Sequence, residues 1–158
     1  PTLNRGNMAK DYSHWERFNI PSRLVLETRY WLVVARPHQL TLGSCSILLK
    51  RRASSLPETS PREIANLRIA ISRYERATDE AFEPTKYNYV ISGQKDPDLH
   101  VHAIPRYDTT SARQFADRQW IDSYWPYFPD FPRTLVPTDD WIVDEVTKKL
   151  RSVVRGKR

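Results

Sequence analysis

Five segments of the chain carry the residue pattern of β-strands. They alternate apolar with polar side chains, or are rich in β-branched and aromatic residues, and cover 23–29, 30–35, 41–50, 86–92 and 98–104. A short link through Gly93 joins the last two, so we expect these two strands to form an antiparallel hairpin. Pro105 has no backbone N–H to donate, which predicts that its strand lies at an edge or stops there.

Residues 61–82 repeat apolar side chains every three or four positions and predict one long amphipathic helix. Ser60, Pro61 and Glu63 form a typical helix start, with a capping hydroxyl, a proline in the first turn and the glutamate of a capping box. The elements predict an α+β fold: an antiparallel sheet of about five strands, this helix packed on one face, and a further helix at the C-terminus. The expected apolar stripe of the long helix is Ile64, Leu67, Ile71, Tyr74, Thr78 and Ala81 or Phe82.

The C-terminal third of the chain is less regular. Residues 111–122 predict a short helix, and residues 120–137, the aromatic segment, are dense in aromatic residues and prolines. We interpret the aromatic segment as a lid packed on the domain, because so many exposed aromatic side chains would favour aggregation. A polyproline recognition arm is the alternative. Thr138 is expected to cap the last helix. The predicted division is an N-terminal extension (1–17), a domain (18–137) and a C-terminal helix with a basic tail (138–158).

Composition and charge narrow the class of protein. The 158 residues fit one domain, no apolar run is long enough for a membrane helix, and the single cysteine, Cys45, suits a reducing cytoplasm. The formal net charge of +6 comes from six basic residues after position 147, a stretch without acidic residues. The rest of the chain is formally neutral, so the sequence predicts no specific nucleic-acid-binding face.

Asp98, His100 and His102 are the candidate chemical groups. Side chains at every second position share one face of a strand, so these three ionisable groups should project together. Burying them without partners would be costly, and a purely structural role explains them poorly. Two histidines and a carboxylate are also a recurrent ligand set for zinc and non-haem iron. Three successive same-face positions span about 13 Å of strand, however, which makes it awkward for them to converge on one ion.

The sequence around these groups resembles the active-site strand of the histidine-triad (HIT) superfamily, which carries His-x-His-x-His. His100 and His102 match the second and third histidines, Asp98 stands in place of the first, and residues 103–106 match the Ala-Ile-Pro-Arg tail. Gln94 matches a glutamine that often precedes the motif. The motif is most similar to that of a bacterial subgroup of diadenosine polyphosphate hydrolases.

This resemblance implies a nucleotide hydrolase or nucleotidyl transferase that needs no metal or other cofactor. His100 would attack the α-phosphorus and form a nucleotidyl-histidine, while the backbone carbonyl of His102 would hold the other ring nitrogen. The His102 side chain would contact the phosphate or the leaving group. The expected partners are a nucleotide substrate and a second copy of the chain. Further substrate contacts are expected from Gln94, Ser44, Ser46, Lys50 and Arg106.

Asp98 leaves three hypotheses for the activity. An ionised carboxylate at about 4 Å from a substrate phosphate would repel it by roughly 4 kcal/mol at an effective dielectric constant near 20. The first hypothesis is a HIT-type enzyme whose rate Asp98 alters or weakens. The second is a catalytically silent module that binds nucleotide or a partner. The third is a metal site at Asp-x-His-x-His.

Overall fold

The computed structural model describes residues 12–20, 22–108, 110, 112–130 and 137–156. Three parts of the predicted division lie outside the described residues: most of the N-terminal extension (1–11), part of the aromatic segment (131–136) and the end of the basic tail (157–158).

The centre of the fold is a five-stranded antiparallel sheet, as the sequence predicts. Its strands are β1 (Leu24–Glu27), β2 (Trp31–Ala35), β3 (Cys45–Leu49), β4 (Lys86–Val90) and β5 (His100–Arg106), in the order β1-β2-β3-β5-β4. Helices α1 (Pro61–Phe82) and α2 (Asp140–Arg155) pack together on the sheet. A small hairpin, β6 (Arg113–Phe115) and β7 (Arg118–Trp120), follows β5, and short 3-10 helices cover Ser13–Phe18 and Leu56–Glu58.

The predicted start of α1 is confirmed, and so is most of its expected stripe, except Ile64. Tyr74, Thr78 and Phe82 are buried, and Leu67, Ile71 and Ala81 pack against the core. The Ser60 side chain accepts a hydrogen bond from the Glu63 N–H, and the Glu63 carboxylate accepts one from the Ser60 N–H. Glu63 is itself buried, because Trp31 Nε1 donates to its backbone carbonyl and Arg51 pairs with its carboxylate. Ile64, the first residue of the expected stripe, is consequently 40% exposed. The buried residues of α1 are Glu63, Ala70, Tyr74, Ala77, Thr78 and Phe82.

Helix α2 begins at Asp140, and its N-cap position is Asp139 and not Thr138, without a capping hydrogen bond from the Asp139 side chain. The Thr138 hydroxyl instead accepts a hydrogen bond from the Gln39 N–H at 3.0 Å, which joins the start of the helix to the turn after β2. The apolar face of α2 belongs to the same core as α1 and the sheet. Its buried residues are Ile142, Val143, Val146, Thr147 and Leu150.

The other face of the sheet carries a second, smaller apolar cluster. Leu32, Val34 and Leu48 project from the strands, and Trp15 and Phe18 of the first 3-10 helix cover them. Trp15 is fully buried, and its indole N–H donates to the Leu49 carbonyl at 2.8 Å. Residues 12–18 therefore pack on the domain, although they fall within or next to the predicted extension.

Two predictions about strands were wrong. The segment predicted as a short helix at 111–122 is the β6–β7 hairpin, whose turn places Ala116 and Asp117 at φ of 51° and 55°. Such positive values at both central positions are typical of two-residue hairpin turns. Strand β5 is an interior strand and continues through Pro105 to Arg106. The proline is tolerated because pairing with β3 ends at Ala103, so at Pro105 only β4 remains beside β5.

The link between β4 and β5 is longer than the sequence pattern predicted. The two strands do pair antiparallel, but β4 ends at Val90 and β5 starts at His100. Residues 91–99 therefore form an open loop, which contributes to the cavity described next.

Candidate functional site

The register of three strands brings both histidines to one face of the sheet. His100 lies opposite Leu48 of β3, and His102 lies between Ser46 of β3 and Val90 of β4. Side chains alternate across a strand, so Val101 and Ala103 enter the core beneath α1 and α2 while the histidines project to the opposite face. The shared face of His100 and His102 is thus confirmed.

The histidines line a cavity of about 440 Å³. Its floor is the sheet, and its walls come from the first 3-10 helix, the turn after β2, the 91–99 loop and the aromatic segment. The lining side chains discussed below are Arg36, Ser46, Gln94, His100, His102 and Phe128.

His100 is held in one orientation by the backbone. Its Nδ1 lies 2.8 Å from the carbonyl oxygen of Asp98, so Nδ1 carries the hydrogen and Nε2 keeps its lone pair. Trp15 and Phe18 meet the ring edge-to-face, with centroids at 5.7 and 6.1 Å, and leave His100 only 3% exposed. This burial lowers the pKa of His100, while the contact with the Asp98 carbonyl acts in the opposite direction. The imidazole is neutral near pH 7.

His102 is neutral as well. Its ring meets that of His100 edge-to-face at 4.8 Å, and its Nε2 lies 3.5 Å from the Ser92 hydroxyl oxygen. Burial first, and then the positive charge of Arg36, lower the pKa of His102 to about 3. Both rings therefore present nitrogen atoms to the cavity without a net positive charge.

Asp98 acts through its backbone and is placed differently from the expectation. It precedes β5, and its side chain does not line the cavity. The carboxylate instead lies 3.9 Å from an Arg52 nitrogen. The carbonyl expected to hold the nucleophilic histidine was that of His102, whereas the structure uses that of Asp98.

Of the predicted substrate contacts, Ser46 and Gln94 lie at the cavity. Ser46 is 1% exposed, and within the described part of the chain its hydroxyl has no hydrogen-bond partner. Ser44 does not line the cavity, because its hydroxyl donates to the Thr41 carbonyl at 2.8 Å. Lys50 is also directed elsewhere: its Nζ pairs with Glu27 at 2.6 Å.

Arg106 supports the cavity without lining it. Its side chain is 3% exposed and pairs with the fully buried Asp122 carboxylate at 2.6 Å. A second nitrogen donates to the Tyr127 carbonyl at 2.7 Å. The next residue, Phe128, forms part of the cavity wall. Arg106 thereby fastens the aromatic segment to the sheet. Tyr127 and Phe128 are nevertheless 78% and 55% exposed, so these two side chains are not packed to the extent that the predicted lid requires.

Arg36 is one of the cavity residues that the sequence did not single out, and the one that brings a buried charge. It follows β2 directly, in the alternation Leu32, Val34, Arg36, and so projects to the histidine face. The side chain is 7% exposed, and burial lowers the pKa of its guanidinium to about 10, which leaves it charged at pH 7. The sequence did contain a signal for this position: the alternation of β2, continued one residue past Ala35, places Arg36 on the same face as Leu32 and Val34.

The geometry gives little support to the metal hypothesis. Within the described residues, no three histidine, cysteine, aspartate or glutamate side chains lie close enough to hold a metal ion. Asp98, the third member of the predicted ligand set, does not face the cavity.

Within the residues that the structure describes, no helix is long and apolar enough to cross a membrane.

An antiparallel sheet with two histidines on an interior strand defines a HIT-type fold, and sequence comparison agrees. The HIT domain profile matches residues 17–109, so the chain belongs to the HIT family, whose members are nucleotide-binding hydrolases and transferases. No curated protein matches the chain by sequence.

Solved structures share the fold at low sequence identity. A HIT-like protein from Bartonella henselae, described as involved in cell-cycle regulation, has a TM-score of 0.62 at 18% identity, covering 87% of this chain and 90% of that one. A histidine triad nucleotide-binding protein from Sulfolobus tokodaii has a TM-score of 0.62 at 15% identity, covering 85% and 84%. A zinc-bound histidine triad protein from Mycobacterium smegmatis has a TM-score of 0.57 at 19% identity, covering 85% and 84%.

Proposed function

We propose that the protein is a nucleotide hydrolase or nucleotidyl transferase that works through a covalent bond between His100 and the substrate phosphorus. The observation that carries this proposal is the contact between His100 Nδ1 and the Asp98 carbonyl. It fixes the tautomer in which Nε2 is the free nucleophilic nitrogen, next to a cavity large enough for part of a nucleotide. Because the pKa of His100 is lowered, the nucleophile needs no deprotonation at neutral pH.

The reaction proceeds in two displacements. The lone pair of His100 Nε2 attacks the α-phosphorus, and the bond from phosphorus to the leaving phosphate oxygen breaks, with the electron pair leaving on that oxygen. Water then attacks the phosphorus, the P–N bond breaks, and its electron pair returns to Nε2 while a proton is released to solvent. An acceptor nucleophile in place of water gives transfer instead of hydrolysis. Dinucleoside polyphosphates are the substrate class we propose first.

The test is turnover of a panel of dinucleoside polyphosphates and nucleoside phosphoramidates. His100→Ala should lower kcat by at least about a thousandfold, because it removes the nucleophile itself. His102→Ala keeps the nucleophile and should retain a residual rate. Wild-type protein denatured at alkaline pH during turnover should carry one nucleotide, mapped to His100 by mass spectrometry, because acid would cleave the P–N bond. If His100→Ala turned over substrate at the wild-type rate, the covalent mechanism would be wrong. If the wild type bound nucleotides without turning any over, the catalytically silent module would be favoured.

We further propose that the protein is a cytoplasmic homodimer. The family includes dimers, and strand β4 stands at an edge of the sheet, where another strand can pair. The one cysteine is a buried free thiol, in keeping with a reducing compartment. Light scattering of the purified full chain should give twice the mass of one chain, and a monomer at micromolar concentration would contradict the dimer.

A further inference from the structure

The backbone on both sides of Arg36 is fixed, which directs its side chain into the cavity. The Arg36 N–H donates to the Ser44 carbonyl at 3.0 Å, continuing the pairing between β2 and β3 by one residue. The Arg36 carbonyl accepts a hydrogen bond from Gln39 Nε2 at 2.9 Å. The Arg36 backbone is thus held by hydrogen bonds on both sides, and its buried side chain lines the cavity on the histidine face.

Charge in the cavity is unevenly distributed. The two histidines are neutral, and the Asp98 carboxylate lies outside. Two other cations line the cavity: Arg17 pairs with Asp96, and Lys95 is exposed on the loop. Arg36 is the buried cation of the described wall, and its charge contributes to the lowered pKa of both histidines.

The Ser46 side chain lines the same cavity as this cation. On one side, Ser46 pairs with Val34 of β2, and Arg36 comes two residues after Val34 on the same face. On the other side, Ser46 pairs with His102 of β5. A buried hydroxyl without a partner in the described structure costs free energy, and a ligand oxygen that accepts its hydrogen removes that cost.

We propose that Arg36, together with Ser46 of the same cavity, is the receptor for the phosphoryl oxygens of the substrate and supplies the positive charge that the neutral histidines do not. This inference rests on the proposed function of the same site. A guanidinium can donate two parallel hydrogen bonds to a phosphate, and such charge-assisted bonds strengthen in a dry cavity. Charge on the equatorial oxygens of a transferring phosphoryl group is stabilised in the same way. Arg36 therefore determines specificity for anionic ligands.

The test compares a charged with an uncharged ligand on matched variants. AMP and adenosine differ by the phosphate alone, and calorimetry gives the Kd of each for the wild type, Arg36→Met, Arg36→Lys and Arg68→Met. Arg36→Met should weaken AMP by about 10- to 100-fold and adenosine by less than about threefold, the loss expected for a charge-assisted bond. Arg36→Lys should recover part of the AMP affinity. Arg68→Met, which removes an exposed guanidinium from α1 outside the cavity, should change the Kd of AMP by less than about threefold.

The outcomes separate this inference from the proposal on which it rests. Equal loss of both ligands in Arg36→Met would mean that Arg36 only maintains the shape of the cavity, and unchanged AMP binding would mean that it does not contact phosphate. Either result overturns the inference and leaves the His100 mechanism intact. A wild type that binds AMP no more tightly than adenosine would overturn the nucleotide site itself.

Discussion

Asp98 and His100 are joined by a contact between the backbone of one and the ring of the other: the carbonyl oxygen of Asp98 lies 2.8 Å from His100 Nδ1. The position that replaces the first histidine of the motif thus contributes a main-chain acceptor, which any residue there would provide. Its carboxylate lies near Arg52, outside the cavity, so the repulsion expected at about 4 Å from a substrate phosphate does not arise in this geometry.

Replacing the carboxylate of Asp98 should therefore have little effect on catalysis. Asp98→Asn keeps the size of the side chain and the carbonyl that holds His100, and we expect kcat/KM to stay within about threefold of the wild type. Steady-state kinetics on the best substrate of the panel checks this, with and without a chelator. A loss greater than about tenfold would mean that the carboxylate takes part in catalysis. Inactivation by the chelator would mean that the activity depends on a metal ion.

The stability of the fold should fall at acidic pH because of the buried histidines. The pKa of His102 is lowered from 6.5 to about 3, and that of His100 is also lowered, so below pH 6.5 the unfolded chain binds protons that the folded chain does not. Each histidine then removes up to about 1.4 kcal/mol of stability per pH unit as the pH falls.

Urea unfolding of the wild type and of His102→Asn between pH 7 and pH 4 measures this effect. The free energy of unfolding should fall less steeply with decreasing pH in the variant, since one of the two histidines no longer titrates. Glu63 and the other carboxylates are common to both proteins. Parallel curves for the two proteins would mean that His102 titrates normally in the folded state.

Arg106 and Lys50 were both expected to contact substrate, and the structure predicts that they differ in their effect on stability. Arg106→Met leaves the Asp122 carboxylate buried without its cation and should lower the free energy of unfolding by about 3–5 kcal/mol. Lys50→Met breaks a partly exposed pair with Glu27 and should cost about 1 kcal/mol or less. Chemical denaturation ranks them, and equal losses would contradict the assignment of Arg106 as the support of the aromatic segment.

Two glycines with positive φ offer a matched test of the turn before β3. Gly43 has a φ of +87°, and a Cβ there would meet a Phe82 ring carbon at 3.1 Å, whereas Gly93 has a φ of +64° and nothing within 4 Å. Gly93→Ala should show the backbone cost alone, about 1 kcal/mol. Gly43→Ala should lose about 1–3 kcal/mol more, because the ring of Phe82 must shift in a packed core. Equal melting temperatures of the two variants would contradict this packing.

The parts predicted well from the sequence depend on local rules. Alternation placed His100 and His102 on one face, and the capping box fixed the start of α1 at Ser60. The β6–β7 hairpin was missed because its strands have three residues each and its turn, Ala116-Asp117, lacks the usual Asn-Gly signal.

The parts that failed depend on contacts between distant segments. Arg106 could not be separated from a substrate-binding arginine until Asp122, sixteen residues later, was known to meet it. Asp98 fits the alternation of the strand, but β5 begins two residues after it. The sequence could not show that Arg36 lines a cavity, because the 91–99 loop and the aromatic segment, which are distant in sequence, form its other walls.

Because Arg106 pairs with Asp122, the part of the chain that folds together is longer than the segment that matches the family profile. The HIT profile ends at residue 109, yet the anion that neutralises Arg106 and the Phe128 ring of the cavity wall lie beyond that point. A chain cut after residue 109 would keep both histidines, but it would lose Asp122 and the Tyr127 carbonyl, which neutralise and hydrogen-bond the buried Arg106 side chain. In this protein the segment that matches the profile depends on residues that follow it, so a shortened chain meant to keep the cavity must extend at least to Phe128.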